Sequence, residues 1–223
     1  MKIIGLNGSP RPAQSRTGQL VRQALKGAGE AGVETEYFEI TGSRVLPCIA
    51  CDRCHKTGFC VQKDDFQAIY DKILTADALV VGSPVHINQV TAQLKNWIDR
   101  LGNTIHCQRF LGKYGAVVAT AGGSGEKETA DYLEDVLKRT GIQCASRIAA
   151  CIDIDGLLDP GSSLLEEASS LGRTLAQAAQ EKKNYPEQQA EIEQIREYFR
   201  YVINRRKEKW SWEYDYWQEK GWL

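Results

Sequence analysis

The chain alternates short apolar runs with amphipathic segments, and this alternation is the feature that most restricts its fold. The predicted strands span residues 2–7, 33–40, 78–81, 114–119 and 147–152. The predicted helices, whose apolar residues recur every three or four positions, span residues 17–28, 66–74, 90–101, 129–139 and 163–179. Such alternation predicts a parallel sheet that is covered on both faces and joined by right-handed crossovers. The fold class is therefore α/β, with a doubly wound five-stranded sheet.

The length and composition are those of an ordinary globular protein. The chain has 223 residues, of which 42% are apolar and 26% charged. A net charge of -1 argues against a broadly basic surface for nucleic acids. The apolar start of the chain turns polar too soon for a signal sequence or a membrane span. We therefore predict a cytoplasmic protein with neither a nucleic-acid nor a membrane partner.

Residues 183–223 are predicted to form an extension to a domain that ends near residue 182. Apolar residues from Ile192 to Val202 recur at helical spacing, and the last segment, WSWEYDYWQEKGWL, is rich in aromatic residues. A lone helix cannot bury its own apolar stripe, so the extension must pack on the domain or on another subunit. We predict an arm that embraces a neighbour in a homodimer or homotetramer, and a cover over its own domain is the equal alternative.

Four of the seven cysteines follow the spacing C-x2-C-x2-C-x5-C in the loop 47–60: Cys48, Cys51, Cys54 and Cys60. Short, regular steps let one loop wrap around a cubane and present three thiolates to three irons, with the fourth thiolate from further along. The spacing therefore predicts a [4Fe-4S] cluster. Structural or redox thiols and a zinc site are the alternatives.

The remaining three cysteines fit no ligand spacing: Cys107, Cys144 and Cys151. Cys151 belongs to a predicted apolar strand. We expect it to be a packed small hydrophobe, because buried free cysteines behave as such.

Three loops are predicted to leave the carboxyl ends of strands, where an open parallel sheet binds its ligands. The first combines hydroxyls, a guanidinium and the free N–H groups of a helix start, which suits a phosphate monoester. Its candidate residues are Ser9, Arg11, Ser15 and Thr17. The sequences G-x-G-x-x-G and Walker A are absent, so neither a dinucleotide site nor a P-loop NTPase is favoured. A capped helix start with incidental serines is the simpler alternative.

The second and third loops could lie against a flat heterocycle. The second, GSPVHIN at residues 82–88, interleaves rigid and flexible residues with a ring and an amide. The third, TAGGSG at residues 120–125, removes side chains where a planar ligand must approach closely. Either loop alone is also explained as a turn that uses Gly and Pro, and His86 alone as a surface or packing histidine.

Four separated segments occur in a characteristic order: GSPRPAQSRT, PCIACDRCHKTGFCVQKDDF, GSPVHINQVTAQLKNWIDR and TAGGSG. Together they resemble the flavodoxin-like NAD(P)H-dependent FMN reductase superfamily and, within it, the iron-sulfur flavoproteins. The resemblance covers roughly residues 1–180. It implies a flavodoxin-like fold with strand order 2-1-3-4-5, one FMN per subunit, and an oligomer in which the cluster lies near a flavin.

By position, the resemblance implies a role for each motif. The FMN phosphate would be held by Ser9, Arg11, Ser15 and Thr17. The isoalloxazine would be lined by Ser83, Pro84, Val85, His86, Ile87, Asn88, Thr120, Gly122 and Gly123. The cluster ligands would be Cys48, Cys51, Cys54 and Cys60. Relatives often carry an aromatic residue at the position of His86, so this chain departs from the family there.

The resemblance implies a flavin oxidoreductase in which electrons enter at the cluster, from a ferredoxin-like donor, and pass singly to FMN. NAD(P)H is the other candidate donor, and the acceptor would be a quinone, dioxygen or peroxide. Because the protein supplies positioning and tuning, no catalytic side chain is predicted. Two other hypotheses are a cluster-free NAD(P)H-dependent FMN or quinone reductase and a non-enzymatic electron carrier or redox-sensing binding protein.

Overall fold

A single parallel sheet forms the centre of the computed structural model, which describes residues 1–152 and 156–223. Its strands are β1 Lys2–Asn7, β2 Glu34–Glu39, β3 Ala78–Pro84, β4 Tyr114–Ala121 and β5 Gln143–Cys151. They pair in the order β2-β1-β3-β4-β5, all parallel. The predicted fold class and strand order are confirmed. The order reverses between β1 and β3, and such a reversal opens a crevice for ligands at the carboxyl edge.

Helices cover both faces of the sheet and extend beyond it. Along the described chain they are α1 Arg16–Glu30, α2 Arg53–Thr57, α3 Phe66–Thr75, α4 Ala92–Asp99, α5 Gly102–His106, α6 Glu126–Arg139, α7 Ser163–Glu181, α8 Pro186–Arg206 and α9 Ser211–Glu219. Helices α1 and α7 pack on one face of the sheet, and α3, α4 and α6 pack on the other. Alternate strand residues, such as Ile3 and Ile4, are buried in these two separate cores.

Several element boundaries differ from the prediction, and one helix was not predicted. Strand β5 begins at Gln143 rather than Arg147, because its first residues alternate in burial along a sheet edge instead of forming an apolar run. The predicted helix 90–101 begins only after its N-cap Thr91 and is followed by the separate helix α5. The cysteine loop contains the short helix α2, which the spacing of the cysteines did not predict. The predicted end of the last strand, at residue 152, lies next to residues 153–155, which are outside the described residues.

The backbones of α1 and α7 approach each other closely. A Cβ on Gly27 of α1 would lie 2.2 Å from the carbonyl oxygen of Ser169, and a Cβ on Gly172 of α7 would lie 1.8 Å from that of Ala24. Both distances are far below a carbon–oxygen contact. The contact between the two helices therefore requires glycine on each side.

The C-terminal extension, residues 183–223, packs on its own domain. Ile203 and Trp217 are fully buried in a small core that also contains Cys107 of the domain. The indole N–H of Trp217 donates to the carbonyl oxygen of His106, 3.1 Å away. Trp210 and Trp217 are thus covered within one chain, while Tyr198 and Tyr201 stay exposed, and the role of an oligomerisation arm stays a prediction. No described helix is both long and apolar enough to cross a membrane.

Candidate functional site

A cavity of about 270 Å³ opens at the carboxyl edge of the sheet. Its walls come from the loops that follow β1, β3, β4 and β5. Among its lining residues are nine of the predicted flavin-binding positions: Ser9, Arg11, Ser15, Thr17, Pro84, Val85, His86, Thr120 and Gly122. The three predicted loops therefore meet around one space, which we call the edge cavity.

The loop after β1 is ordered by its own hydroxyl groups. Ser15 is the N-cap of α1, and its Oγ accepts a hydrogen bond of 2.8 Å from the backbone N–H of Gly18. Ser9 Oγ accepts from the backbone N–H of Arg11 at 3.2 Å, and the Ser9 N–H donates to Asn7 Oδ1 at 3.1 Å. The loop thus delivers hydroxyls and the positive end of a fifteen-residue helix to the cavity. This combination fits an anionic group such as a phosphate.

The loop after β4 is joined to the start of α1. The hydroxyl oxygens of Thr17 and Thr120 lie 2.6 Å apart in a buried hydrogen bond. Beyond Thr120, a Cβ on Gly122 or Gly123 would have no neighbour within 4 Å, so the surface there is open. The open glycine surface lies beside the fixed pair of hydroxyl groups, and this arrangement suits a planar ring.

Four predicted positions lie outside the edge cavity: Ser83, Ile87, Asn88 and Gly123. Ser83 is fully buried, and its Oγ donates to the carbonyl oxygen of Pro84 and accepts from the N–H of Thr91. Ile87 is 97% exposed, and both it and Asn88 adopt left-handed backbone conformations in a turn that His86 and Gln89 close. The tip of the second loop therefore points away from the cavity in this single chain.

The edge cavity also includes residues that the motifs did not single out: Pro10, Gln14, Arg16, Ala121 and Ile152. Pro10, Gln14 and Arg16 belong to the first loop. The length of that loop in the sequence was the signal that could have identified them. Ile152 enters because β5 neighbours β4, and Arg16 Nη1 donates to its carbonyl oxygen at 2.8 Å. No local pattern marks this last contact, since the two residues are distant in sequence.

The four clustered cysteines line a second space, the cysteine pocket, of about 80 Å³. Its walls carry Cys48, Cys51, Cys54 and Cys60 together with His55 and Arg100. The loop reaches this shape with left-handed backbone at Ala50, Asp52 and Gly58. For residues with a Cβ this conformation costs about 1 kcal/mol, and such strain concentrates where a loop must wrap around a ligand.

Arg100 brings a buried positive charge to the cysteine pocket. Its Nη2 donates to Cys60 Sγ at 3.2 Å, and its Nη1 pairs with the Asp64 carboxylate, which is also buried. The Nε of Arg100 has no hydrogen-bond partner among the described residues. A guanidinium beside the thiols, with one donor to spare, fits a negatively charged group with thiolate ligands.

A second group of potential metal ligands lies beside the cysteine pocket. Among described residues, the ligand atoms of His55, His106 and Glu213 lie within 4.8 Å of one another. The four cysteines remain the candidates for a polynuclear cluster, in which each thiolate would bind a different iron.

His55 connects the cysteine pocket to the C-terminal extension. Its Nδ1 lies 2.6 Å from Glu213 Oε1, and its ring stacks on Trp210 with centroids 4.5 Å apart. Burial lowers the pKa of His55, but hydrogen bonds to Cys54 and Glu213 raise it more, to about 10. Glu213 is fully buried. Burial raises the pKa of Glu213, but hydrogen bonds with His106 and His55 hold it below its usual value.

Cys151 corrects one prediction. It lies in β5 as expected, but its side chain is exposed rather than packed, and its Sγ donates to the carbonyl oxygen of Gly123 at 3.2 Å. The reason is that the end of an edge strand keeps one face in solvent. Cys107 and Cys144 are buried, and burial raises the pKa of both thiols, so they remain protonated packing residues.

Comparison with known proteins shows the family of the chain. The family model described as NADPH-dependent FMN reductase matches residues 1–154. An iron-sulfur flavoprotein of Archaeoglobus fulgidus is 31% identical over 224 residues, covering 100% of both chains, so this likeness includes the C-terminal extension. An iron-sulfur flavoprotein of Methanocaldococcus jannaschii is 40% identical over 130 residues, which are 58% of this chain and 67% of that protein.

One solved structure extends the comparison to the fold. The crystal structure of RosB with bound 8-demethyl-8-formylriboflavin-5'-phosphate superposes with a TM-score of 0.66 at 18% identity, covering 83% of this chain and 82% of that one. Together with the sequence matches, this places the molecule among flavoproteins with a doubly wound sheet. The chain belongs to the NADPH-dependent FMN reductase family, whose members include iron-sulfur flavoproteins, and it is a flavin-dependent oxidoreductase.

Proposed function

We propose that the chain is an FMN- and [4Fe-4S]-containing oxidoreductase that carries electrons between a ferredoxin-like or NAD(P)H donor and a small acceptor. The observation that carries this proposal is the pair of sites on one chain. One space is lined by four cysteines, and the other lies at the sheet edge where a doubly wound fold binds its ligands. The acceptor would be a quinone, dioxygen or peroxide, and the assembly a homodimer or homotetramer.

The edge cavity would hold FMN. The phosphate would bind at the start of α1 through Ser9, Arg11, Ser15 and Thr17. The isoalloxazine would lie along Pro84, Val85, His86, Thr120 and Gly122, with Ser83, Ile87, Asn88 and Gly123 next to these residues in the same loops. FMN supplies one- and two-electron chemistry, so it can couple single-electron carriers to a two-electron acceptor.

The cysteine pocket would hold the cluster on Cys48, Cys51, Cys54 and Cys60. Arg100 would stabilise its negative charge through the hydrogen bond to the Cys60 sulfur. The exposed thiols of Cys48 and Cys51 lie on the solvent side of the loop. The cluster would therefore be open to an external one-electron donor on that side.

Electron transfer rather than acid–base chemistry agrees with the lining of the edge cavity. Among the described residues that line it there is no Asp, Glu or Lys, and His86 is the one imidazole. The protein would thus position the flavin. No side chain is assigned a catalytic proton transfer.

An anaerobic preparation tests the proposal. We expect flavin absorbance together with iron and sulfide in a ratio of about four each per chain, and an EPR signal after reduction. Flavin without iron, sulfide or an EPR signal would contradict the cluster. A variant with all four clustered cysteines changed to Ala, if it bleaches with NADPH as fast as the parent chain, would instead support the cluster-free reductase.

A further inference from the structure

The C-terminal extension contacts the cysteine loop and not the edge cavity. Every described residue that lines the edge cavity lies between Ser9 and Ile152. By contrast, α9 packs directly against α2, the short helix that carries Cys54. The extension therefore acts on one of the two sites, and the contacts that it makes there define how.

We propose that the extension is a clamp that fixes the cysteine loop in its ligand-ready shape, with Glu213 and Trp212 as the positioning residues. This inference rests on the proposed function only for the identity of the bound group. The clamp itself consists of contacts between protein groups. Through these contacts, residues 183–223 would preorganise the loop for a metal cluster.

The first part of the clamp is the Glu213 carboxylate. It accepts hydrogen bonds from three groups on two other elements: His55 on α2, and Asn103 and His106 on α5. The side chain of Glu213 is fully buried, so these bonds replace water completely. Removing one partner of a buried charged network leaves the others unsatisfied, which is far more costly than removing an exposed pair. The carboxylate thus ties α2, α5 and α9 together.

Asn103 extends this tie to a cluster ligand. Its Nδ2 donates both to Glu213 Oε1 at 3.1 Å and to the carbonyl oxygen of Cys54 at 3.3 Å. The side-chain amide of Asn103 is therefore bonded to both the backbone of Cys54 and the carboxylate of Glu213. A displacement of α9 would be transmitted directly to Cys54, the third cysteine of the motif.

The second part of the clamp is the Trp212 ring. Gly58 ends α2 with a φ of 80°, and a Cβ on Gly58 would lie 2.3 Å from Trp212 Cε2. The ring therefore lies flat against the backbone between Cys54 and Cys60. Arg109 fixes the same point from the side, since its Nη1 donates to the Gly58 carbonyl oxygen at 2.8 Å and its guanidinium lies 5.2 Å from the Trp212 ring.

The test compares Glu213→Gln with Glu219→Gln, an exposed position on the same helix. Hydrogen exchange is measured on the full chain without iron, in peptides that cover residues 48–60. We expect exchange there to be at least about tenfold faster in Glu213→Gln, because local opening loses a buried charged network, and unchanged in Glu219→Gln. FMN content should be the same in both. Equal exchange in the two variants would overturn the clamp.

Iron retention links the clamp to the bound group. After anaerobic reconstitution, a chelator should remove iron several-fold faster from Glu213→Gln than from Glu219→Gln. A parent chain that takes up no iron would contradict the proposed cluster, while the exchange rates would still decide whether the clamp exists. The two failures are therefore distinguishable.

A second pair of variants is independent of the carboxylate. Gly58→Ala combines an unfavourable φ with the clash against Trp212, and Trp212→Ala removes the ring. If the ring holds the turn, Gly58→Ala should accelerate exchange of the loop less in the Trp212→Ala background than in the parent chain. An equal acceleration in both backgrounds would mean that the ring does not constrain the turn.

Discussion

The edge cavity and the cysteine pocket are built in opposite ways. The edge cavity is formed where strands end, and its residues are held by hydrogen bonds to nearby backbone, such as Ser15 to Gly18 and Ser9 to Arg11. Most of the cysteine pocket belongs to the long connection between β2 and α3, which contains the short helix α2. Its shape depends on side chains from distant segments, above all Arg100 and Glu213.

The edge cavity and the cysteine pocket thus obtain their preorganised shapes from two different sources. A loop between a strand and a helix inherits its geometry from the sheet, so few additional contacts are needed. A long loop has no such frame, and each distant contact must offset the entropy of ordering it. We therefore expect changes in the distant contacts to damage the cysteine pocket while leaving the edge cavity intact.

The largest expected effect is the loss of iron from a single ligand variant. Cys51→Ala should reduce iron and sulfide to near zero, because a cubane needs a ligand at each iron, while FMN content stays unchanged. Metal analysis and visible absorbance measure the two separately. Cys151→Ala, which removes another exposed thiol, is the matched control and should keep its iron. Loss of flavin from Cys51→Ala would show that the two sites are not independent.

The next effect concerns the buried ion pair of the cysteine loop. Asp64→Asn leaves the Arg100 guanidinium buried without its partner and should reduce the free energy of unfolding by about 3–5 kcal/mol. Urea denaturation measures the loss. In Asp135→Asn, which breaks an exposed pair with Arg139, the loss should stay below about 1 kcal/mol. Similar losses in the two variants would contradict a special role for the buried pair.

The same carboxyl group makes a prediction about pH. Burial raises the pKa of Asp64, but hydrogen bonds from Arg100 and from the backbone N–H groups of Leu46 and Phe66 lower it more, so that it falls below the ordinary 3.8. Because the folded pKa is the lower one, the pair stabilises the fold fully above pH 3.8, and this contribution is lost as the pH falls through the folded pKa. In the Asp64→Asn variant, the free energy of unfolding should therefore fall less steeply as the pH falls through this acid range.

A smaller effect is expected on the reduction potential of the cluster. The guanidinium hydrogen bond to Cys60 favours the more negative, reduced cluster. Arg100→Lys keeps the charge but loses the forked geometry, and should lower the potential by about 59 mV, the equivalent of about 1.4 kcal/mol for one electron. Potentiometric EPR titration measures it. Arg139→Lys, at an exposed arginine, should leave the potential unchanged, and a raised potential in Arg100→Lys would reverse the argument.

The smallest effect tests the edge cavity. Ser15→Ala removes the N-cap of α1 and should cost about 1 kcal/mol of stability and weaken FMN binding about tenfold. Ser162→Ala removes the N-cap of α7, away from the cavity, and should cost similar stability without changing flavin affinity. Fluorescence titration of FMN separates the two. Equal affinities would show that Ser15 only caps its helix.

Sequence reasoning was most successful where structure is local. The apolar runs and helical spacing predicted all five strands, most directly β1, β3 and β4, which bury nearly all of their side chains, and the strand order was implied by the family resemblance. The first and third predicted loops, whose residue types at strand ends marked them, both line the edge cavity. Errors occurred where burial was partial, as at the start of β5 and at Cys151.

The distant contacts left no local signal. Arg100 meets Cys60 from the C-terminal end of α4, and Glu213 meets His55 across 158 positions of the chain. In the sequence, Arg100 is one charged residue at a helix end, and Glu213 is one acid among aromatic residues. Their significance depends on the three-dimensional path of the chain, which spacing and composition do not encode.

The glycine contact between α1 and α7 has a mechanical consequence. With Gly27 and Gly172 holding the two backbones against each other, neither helix can slide or rotate without a clash. Helix α1 begins at the edge cavity with Ser15, and α7 ends where the C-terminal extension departs. The hydrogen bond from Gln23 Nε2 of α1 to Ser169 Oγ of α7, 2.6 Å long, joins them as well. The two helices therefore form one rigid unit that runs from the loop after β1 to the start of the C-terminal extension.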